Sequence, residues 1–251
     1  QAEGWRVAVL VDEAHNLVER ARAMYSAELA QGALRALRRA SATVSPPLKR
    51  ALERVNRRWN ELLRAHDAAY VALDALPAVF VDTLNQALAT LSDLQAEQPA
   101  LAAEIAVAGA DLQRFQFDAL QFSRLAASFG PHSLFDITRR AAPADAPGRP
   151  AGSTLCIRNL VPAPHLQPRL AAAQAMVLFS ATLNPREWHA DLLGLPPDTA
   201  WLDVPSPFAP QQLQVRVASR ISTRWADRAR SVAPIVDTIA GQFAARPGLY
   251  L

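Results

Sequence analysis

Cysteine, glycine and long apolar runs are all scarce in this chain of 251 residues. A single cysteine excludes an internal disulfide framework and fits a reducing cytosol. No apolar stretch approaches the roughly 20 residues that a membrane-crossing helix needs. These absences predict a cytoplasmic protein that has no membrane partner.

The chain is rich in helix-forming residues and poor in glycine. Hydrophobic residues make up 51% of the chain and glycine contributes only nine positions, with alanine and leucine dominant. Such a composition favours helix. The length suffices for a sizeable core or for two domains.

Charge is distributed unevenly, although the net charge is only +3. Residues 31–64 contain nine basic and two acidic side chains, whereas residues 65–118 contain one basic and eight acidic side chains. Such asymmetry is typical of a nucleic-acid-facing surface beside a face that repels nucleic acid. Two solvated helical faces that attract each other explain the pattern equally well.

A short apolar run near the start of the chain ends in two carboxylates. Val7 to Val11 is rich in β-branched residues and predicts a central parallel strand that is buried on both faces. Asp12 and Glu13 follow it directly, and His15 lies two positions further on. Ligands of open α/β sheets bind beyond the carboxyl ends of the strands, where these side chains would lie. The alternative is that the acidic pair merely caps a helix.

The two carboxylates suit the chemistry of a nucleotide site. Mg²⁺ prefers oxygen ligands and keeps several waters, so Asp12 is a candidate to hold it through water. Glu13 would then polarise a water molecule against the γ-phosphate of ATP. ATP and Mg²⁺ are therefore the expected cofactors.

A second apolar run is followed by hydroxyl side chains. Ala175 to Phe179 predicts another strand, and Ser180, Ala181 and Thr182 come directly after it. A helix opened by Asn184 and Pro185 is expected next. Alone, this string is typical of a hydroxyl-rich turn.

Together the two strings resemble those of superfamily 2 DNA helicases of the DEAH type, in the DinG and xeroderma pigmentosum group D family. Asp12 to His15 resembles the Walker B motif, and Ser180 to Thr182 resembles motif III. Three further matches are the continuation Asn16-Leu17, the Ser206-Pro207-Phe208 entry to a second motor domain, and Pro247 to Leu251 as the start of the strand leading to motif IV.

The resemblance implies α/β RecA-like motor fragments of the P-loop NTPase type, with a large all-α helical insertion called the Arch domain. Ser180 lies 167 positions after Glu13, a separation that exceeds what a simple crossover needs. The expected segments are residues 1–23 (Walker B part of the first motor domain), 24–150 (Arch-like insertion), 151–204 (motif III part) and 205–251 (start of the second motor domain).

The resemblance also implies an activity and its partners. Family members couple ATP hydrolysis to 5′–3′ movement on single-stranded DNA and to the unwinding of DNA forks, as monomers. Asp12, Glu13 and His15 would serve the nucleotide, with His15 helping to couple hydrolysis to strand movement. Ser180, Ala181 and Thr182 would relay the nucleotide state to DNA.

Several parts of the family pattern do not occur between Gln1 and Leu251. No Gly-x-x-x-x-Gly-Lys-Ser/Thr loop is present, and motifs V and VI are lacking. The family's 4Fe-4S cluster needs four cysteines upstream of the Asp12 strand, and only Cys156 is present, downstream of it. We therefore expect an internal segment of a longer helicase that is inactive alone, with any such cluster in an upstream segment.

Helical periodicity supports the insertion. Ser45 and the two prolines after it predict a helix start, and apolar residues then repeat at spacings of four and three: Leu48, Leu52, Val55, Trp59 and Leu62. A similar repeat runs from Leu101 to Phe122. We expect antiparallel packed helices.

Other faces of these helices carry candidate nucleic-acid contacts. Arg50, Arg54 and Arg57 lie off the apolar seam of their helix, and Phe117 lies off the seam of the later one. Aromatic residues at helical spacing more often belong to a core, and this is the interpretation we favour for Trp59.

Two strands are expected after the helices. Residues 132–140 alternate in polarity, and residues 154–158 are expected to return the chain to the motor, with Cys156 as a core residue. Two other functions stay open: a helical DNA- or protein-binding module with a degenerate Asp-Glu-Ala-His string, and a DinG-like nuclease.

Overall fold

The computed structural model describes residues 6–100, 112–140, 152–212, 215, 217–246 and 248. The chain divides into two compact units, residues 1–199 and 200–251. The fold is mixed α/β, with one parallel and one antiparallel sheet among the described residues. The start of the apolar repeat expected from Leu101 lies outside the described residues.

The first unit contains short strands and longer helices. Its elements are β1 (Ala8–Val11), α1 (Leu17–Met24), β2 (Ala27–Ala30), α2 (Gln31–Val44), α3 (Pro46–Ala65), β3 (Tyr70–Leu73), α4 (Ala78–Glu97), α5 (Leu112–Ala126), β4 (Ser133–Arg140), β5 (Gly152–Asn159), α6 (Ala163–Ala171), β6 (Ala175–Leu178) and α7 (Arg186–Leu193).

The two motif-bearing strands are neighbours. β1 pairs with β6 in parallel, with Val11 opposite Leu178 at the carboxyl ends of the strands. One face of this pair packs towards α1 and α7, where Leu178 contacts a small apolar cluster around Val18 and Leu193. The helices after each motif therefore anchor the two strands side by side.

The expected burial of β1 on both faces is wrong for the described residues. Their parallel sheet contains only β1 and β6. Leu10 is 72% exposed and its register partner Val177 is 52% exposed. The reason is that a parallel strand is buried on both faces only when layers cover both faces of its sheet, and α1 and α7 supply one layer.

The all-helical character expected for residues 24–150 is also wrong. Helices α2 to α5 accompany an antiparallel sheet in the order β2-β5-β4-β3. β5, which was expected to return the chain to the motor, pairs with β2 on one side and with β4 on the other. Short strands such as Ala27–Ala30 consist of good helix formers, and pairing with β5 overrides their propensity.

α3 begins as its sequence predicts. The Ser45 hydroxyl accepts the Leu48 N–H at 3.5 Å, and two prolines occupy the first turn, where no amide donor is needed. The predicted apolar stripe is buried, including Leu48, Leu52 and Trp59, and Leu62 is half-buried. α3 therefore packs through one face against the neighbouring helices and the sheet.

Aromatic rings form the centre of the core of the first unit. Trp59, Phe80, Phe122 and Phe135 meet edge to face in sequence, with ring centroids 5.7, 6.2 and 6.4 Å apart. Edge-to-face rings gain quadrupole attraction in addition to the free energy of apolar burial. The predicted core position of Trp59 is confirmed.

A buried polar chain ties α2 and α3 to β5. The Trp59 indole N–H donates to Ser153 Oγ, which donates to Gln31 Oε1, both at 2.9 Å. The Gln31 amide in turn donates to Asn60 Oδ1 at 2.9 Å. Because buried polar groups are costly when unpaired, this chain specifies how the two helices sit on the sheet.

An ion pair with a buried carboxylate joins β4 to β5. Asp136 on β4 is 1% exposed and accepts a hydrogen bond from Arg158 Nε of β5 at 2.7 Å. Cys156 lies opposite Asp136 in the register. Burial, and then the Asp136 charge, raises the pKa of the Cys156 thiol to about 12. Cys156 is 5% exposed, so its predicted core position is confirmed.

An aromatic and histidine stack joins α1 to α6. The Tyr25 ring lies on the His165 ring with centroids 4.3 Å apart, and His132 meets His165 edge on at 4.9 Å. The Arg169 guanidinium lies over the Tyr25 ring, 5.5 Å from its centroid. Burial, and then the charges of His132 and Arg169, lowers the pKa of His165.

This stack predicts a loss of stability in mild acid. Unfolded histidine has a pKa near 6.5 and takes up a proton there, whereas His165 resists protonation while the chain is folded. The free energy of unfolding should therefore fall as the pH drops through about 6.5 towards 5. His165→Gln should flatten the pH dependence of the urea midpoint between pH 7 and 5. Equal slopes for the parent chain and the variant would contradict this prediction.

The second unit contains one long helix, α8 (Arg228–Ala245), preceded by 3₁₀ turns at Pro210–Gln212 and Trp225–Asp227. Asp227 pairs with Arg230 and accepts a hydrogen bond from Ser222 Oγ at 2.7 Å. The Ser222 contact, and then the Arg230 contact, lowers the pKa of Asp227. The strand expected from Pro247 falls largely outside the described residues.

None of the helices in the described part of the chain combines the length and apolar character that a bilayer span requires.

Candidate functional site

The carboxyl ends of β1 and β6 bring the two sequence motifs together. Because the strands are parallel and in register, Asp12 and Phe179 leave the sheet at the same edge. The backbone continues this pairing beyond the strands: Phe179 N–H donates to the Val11 carbonyl at 3.0 Å, and Ala14 N–H donates to the Phe179 carbonyl at 3.1 Å. The turn after β1 is thus joined to the start of the Ser180 loop.

Glu13 has an unusual backbone conformation. Its φ of 51° and ψ of 41° lie in the left-handed region, which glutamate seldom adopts. The Glu13 N–H donates to the Asp12 carboxylate at 2.7 Å, and Ala14, fully buried, anchors the following 3₁₀ turn. A conformation of this kind costs about 1 kcal/mol or more and concentrates at functional sites. The turn leaves both carboxylates exposed at the edge of the sheet.

His15 connects the acidic turn to the Ser180 loop. Its Nδ1 lies 2.7 Å from Ser180 Oγ and 3.1 Å from Glu13 Oε2. Ser180 Oγ also accepts the Thr182 N–H at 3.4 Å. Glu13, His15, Ser180 and Thr182 therefore form one continuous polar contact chain between residues 165 or more apart in sequence. Ala181, which lies between the two hydroxyl residues, is exposed.

His189 is a buried residue of this region that its sequence did not single out. It lies on α7 and is 2% exposed. Burial lowers the pKa of His189, the hydrogen bond to the Asn184 backbone opposes that shift, and the His15 charge lowers the pKa further. The one sequence feature that could have pointed to His189 is its position one helical turn after Pro185. The histidines of the chain show no metal-ligand spacing that would have identified it.

The carboxylates fit a magnesium nucleotide in type and exposure. Both are exposed, and oxygen ligands of this kind suit Mg²⁺ held through water, together with substrate phosphates. Within the described ranges there is no cluster of three or more histidine, cysteine, aspartate or glutamate side chains that could hold a metal ion alone. An ion shared between Asp12 and bound phosphates does not require such a cluster.

The candidate nucleic-acid residues occupy other elements. Arg50, Arg54 and Arg57 are all exposed on α3, as their spacing predicted. Phe117 on α5 is 70% exposed, whereas Phe115 and Phe122 on the same helix are buried. Exposure of these side chains is thus confirmed, and contact with nucleic acid stays a prediction.

No family model matches this chain, and no curated protein matches it.

Proposed function

We propose that this chain contributes the Walker B carboxylates and the coupling loop of an ATP-dependent DNA helicase. The observation that carries the proposal is the contact chain from Glu13 through His15 to Ser180. It joins a candidate hydrolytic carboxylate to a second loop at the same edge of a parallel sheet, which is where α/β proteins bind ligands.

Each residue has a role that its geometry supports. Asp12 would hold Mg²⁺ through water, and the ion would supply charge neutralisation for the phosphates of a bound nucleotide. Glu13 accepts a proton from the water that attacks the γ-phosphate. His15 contacts the Glu13 carboxylate, so displacement of Ser180 would alter the position of that base.

The Ser180 loop is the candidate sensor for DNA. A strand of DNA that moved this loop would act on Glu13 through the two contacts of His15 Nδ1, one with Ser180 and one with Glu13. The resemblance to DinG and xeroderma pigmentosum group D helicases suggests single-stranded DNA as the track, with 5′–3′ movement. A nuclease or a binding module would not require a contact chain that links a hydrolytic carboxylate to a DNA-sensing loop.

Coupling can be tested on the intact product of the gene that encodes this chain. We expect single-stranded DNA to stimulate ATP turnover, and Ser180→Ala to lower the ratio of stimulated to unstimulated turnover by about tenfold, the worth of one hydrogen bond. Ser92→Ala, on the exposed side of α4, is the matched control. An unchanged ratio in Ser180→Ala would remove the coupling role of the loop.

A further inference from the structure

The outward face of α3 carries a row of arginines. Arg50, Arg54, Arg57 and Arg64 are all exposed, at successive spacings of four, three and seven residues. At 3.6 residues per turn they fall within an arc of about 80°. The buried residues Leu52, Val55 and Trp59 lie on the opposite side, so the row points directly away from the core. We call these four residues the arginine face.

Glu61 lies within the arc of the arginine face and Glu53 lies at its edge, but both carboxylates pair with cations outside that face. α3 contains two acidic residues: Glu53 lies 3.9 Å from Lys49, and Glu61 lies 2.8 Å from Arg58. Among the residues that the structure describes, no ion pair or hydrogen bond engages the side chains of the arginine face. Four positive charges therefore project into solvent along one line.

We propose that the arginine face binds the phosphate backbone of single-stranded nucleic acid. The row extends over 14 residues, or about 21 Å of helix axis. A linear array of guanidinium groups suits a linear array of phosphates, because arginine forms charge-assisted and often bidentate hydrogen bonds with phosphate oxygens. With no base-reading pattern along the row, binding would be independent of sequence.

The straightness of the row favours a single strand over a duplex. The backbone of B-form DNA passes to the opposite side of the double helix within half a turn, about 17 Å. A straight convex row would therefore meet only a few phosphates of one duplex strand. A flexible single strand can follow all four arginines, as in electrostatic tracks that bind such strands without sequence preference.

The arginine face lies on α3, whereas the proposed ATP site lies at the carboxyl ends of β1 and β6. That the strand is DNA rests on the proposed helicase function, whereas binding to a phosphate backbone does not. Measurement of binding without ATP separates the proposed arginine face from the proposed ATP site. Absence of ATP turnover would not contradict binding by the arginine face, and absence of binding would not contradict the ATP site.

The test uses the chain of residues 1–251 and a labelled 20-nucleotide single strand of mixed sequence, titrated at several salt concentrations. In a plot of the logarithm of the binding constant against the logarithm of the salt concentration, each phosphate contact to a single strand contributes about −0.7 to the slope. Arg50→Gln, Arg54→Gln, Arg57→Gln and Arg64→Gln combined should flatten the slope by about 3 and weaken binding about tenfold or more at low salt. Circular dichroism checks that α3 persists.

A second quadruple variant removes the same charge outside the arginine face. Arg22→Gln, Lys49→Gln, Arg114→Gln and Arg230→Gln each remove a cation that pairs with a carboxylate in the chain. We expect its salt slope to stay near that of the parent. Equal losses in the two variants would show that net charge alone matters and would overturn the proposal.

Two competitors test the identity of the ligand. A duplex of the same length should compete less well than the single strand, and polyglutamate of equal charge should compete less well than either. Tighter duplex binding would overturn the single-strand assignment. Polyglutamate that competes as well as the oligonucleotide would overturn the nucleic-acid assignment.

Discussion

Replacing Glu13 by glutamine in the intact gene product is expected to lower ATP turnover by about 10²–10⁴-fold. Glutamine keeps the size of glutamate and can still reach His15, whose Nδ1 lies 3.1 Å from the carboxylate. It cannot accept a proton from the attacking water. Nucleotide binding should therefore survive while hydrolysis is lost, as measured by phosphate release with and without saturating single-stranded DNA.

The same substitution at Glu19 is the control. Glu19 is an exposed residue of α1 that pairs with Arg22 at 2.7 Å, so its replacement alters charge near the site without touching the proposed base. We expect turnover close to that of the parent. Turnover in Glu13→Gln equal to the parent would remove Glu13 as the base, and an inactive parent would make binding by the helical part the leading function.

Replacing Trp59 by alanine is expected to lower the free energy of unfolding by about 3–5 kcal/mol. The side chain is 1% exposed, meets Phe80 edge to face and donates to Ser153. Its removal leaves a cavity where α3 meets the sheet and breaks the buried polar chain to Gln31. Urea unfolding of residues 1–251, followed by far-ultraviolet circular dichroism, measures the change.

Two further variants separate packing from hydrogen bonding. Trp59→Phe keeps a ring but loses the indole donor, and should cost about 1–3 kcal/mol because Ser153 loses one partner. Phe117→Ala removes a ring that is 70% exposed and should stay within about 0.5 kcal/mol of the parent. A cost for Phe117→Ala as large as that for Trp59→Ala would contradict the assigned core.

Much of the candidate site could be predicted because its parts are local. A β-branched run followed by two carboxylates, and a second run followed by hydroxyl residues, identify two strand ends whatever surrounds them. Parallel strands then place Asp12 and Ser180 at one edge. The left-handed backbone of Glu13 could not be predicted, since glutamate has no local preference for that conformation and the surrounding hydrogen bonds impose it.

The region of residues 24–150 shows where periodicity is insufficient. Apolar spacing identified α3 and its buried face, since a helix of 20 residues repeats its pattern several times. The four-residue strands β2 and β3 are too short to show a period, and their place in the sheet depends on pairing with β5 and β4. The described part of residues 24–150 is therefore a mixed arrangement of helices and strands.

The sequence by itself identified the candidate site residues, the start of α3 and the outward positions of Arg50, Arg54 and Arg57, because each follows from spacing along the chain. Only the tertiary structure decided the contact of His15 with both Glu13 and Ser180, the burial of His189, the central place of β5 and the openness of one face of β1. These depend on residues far apart in sequence meeting in space, and no local preference specifies such encounters.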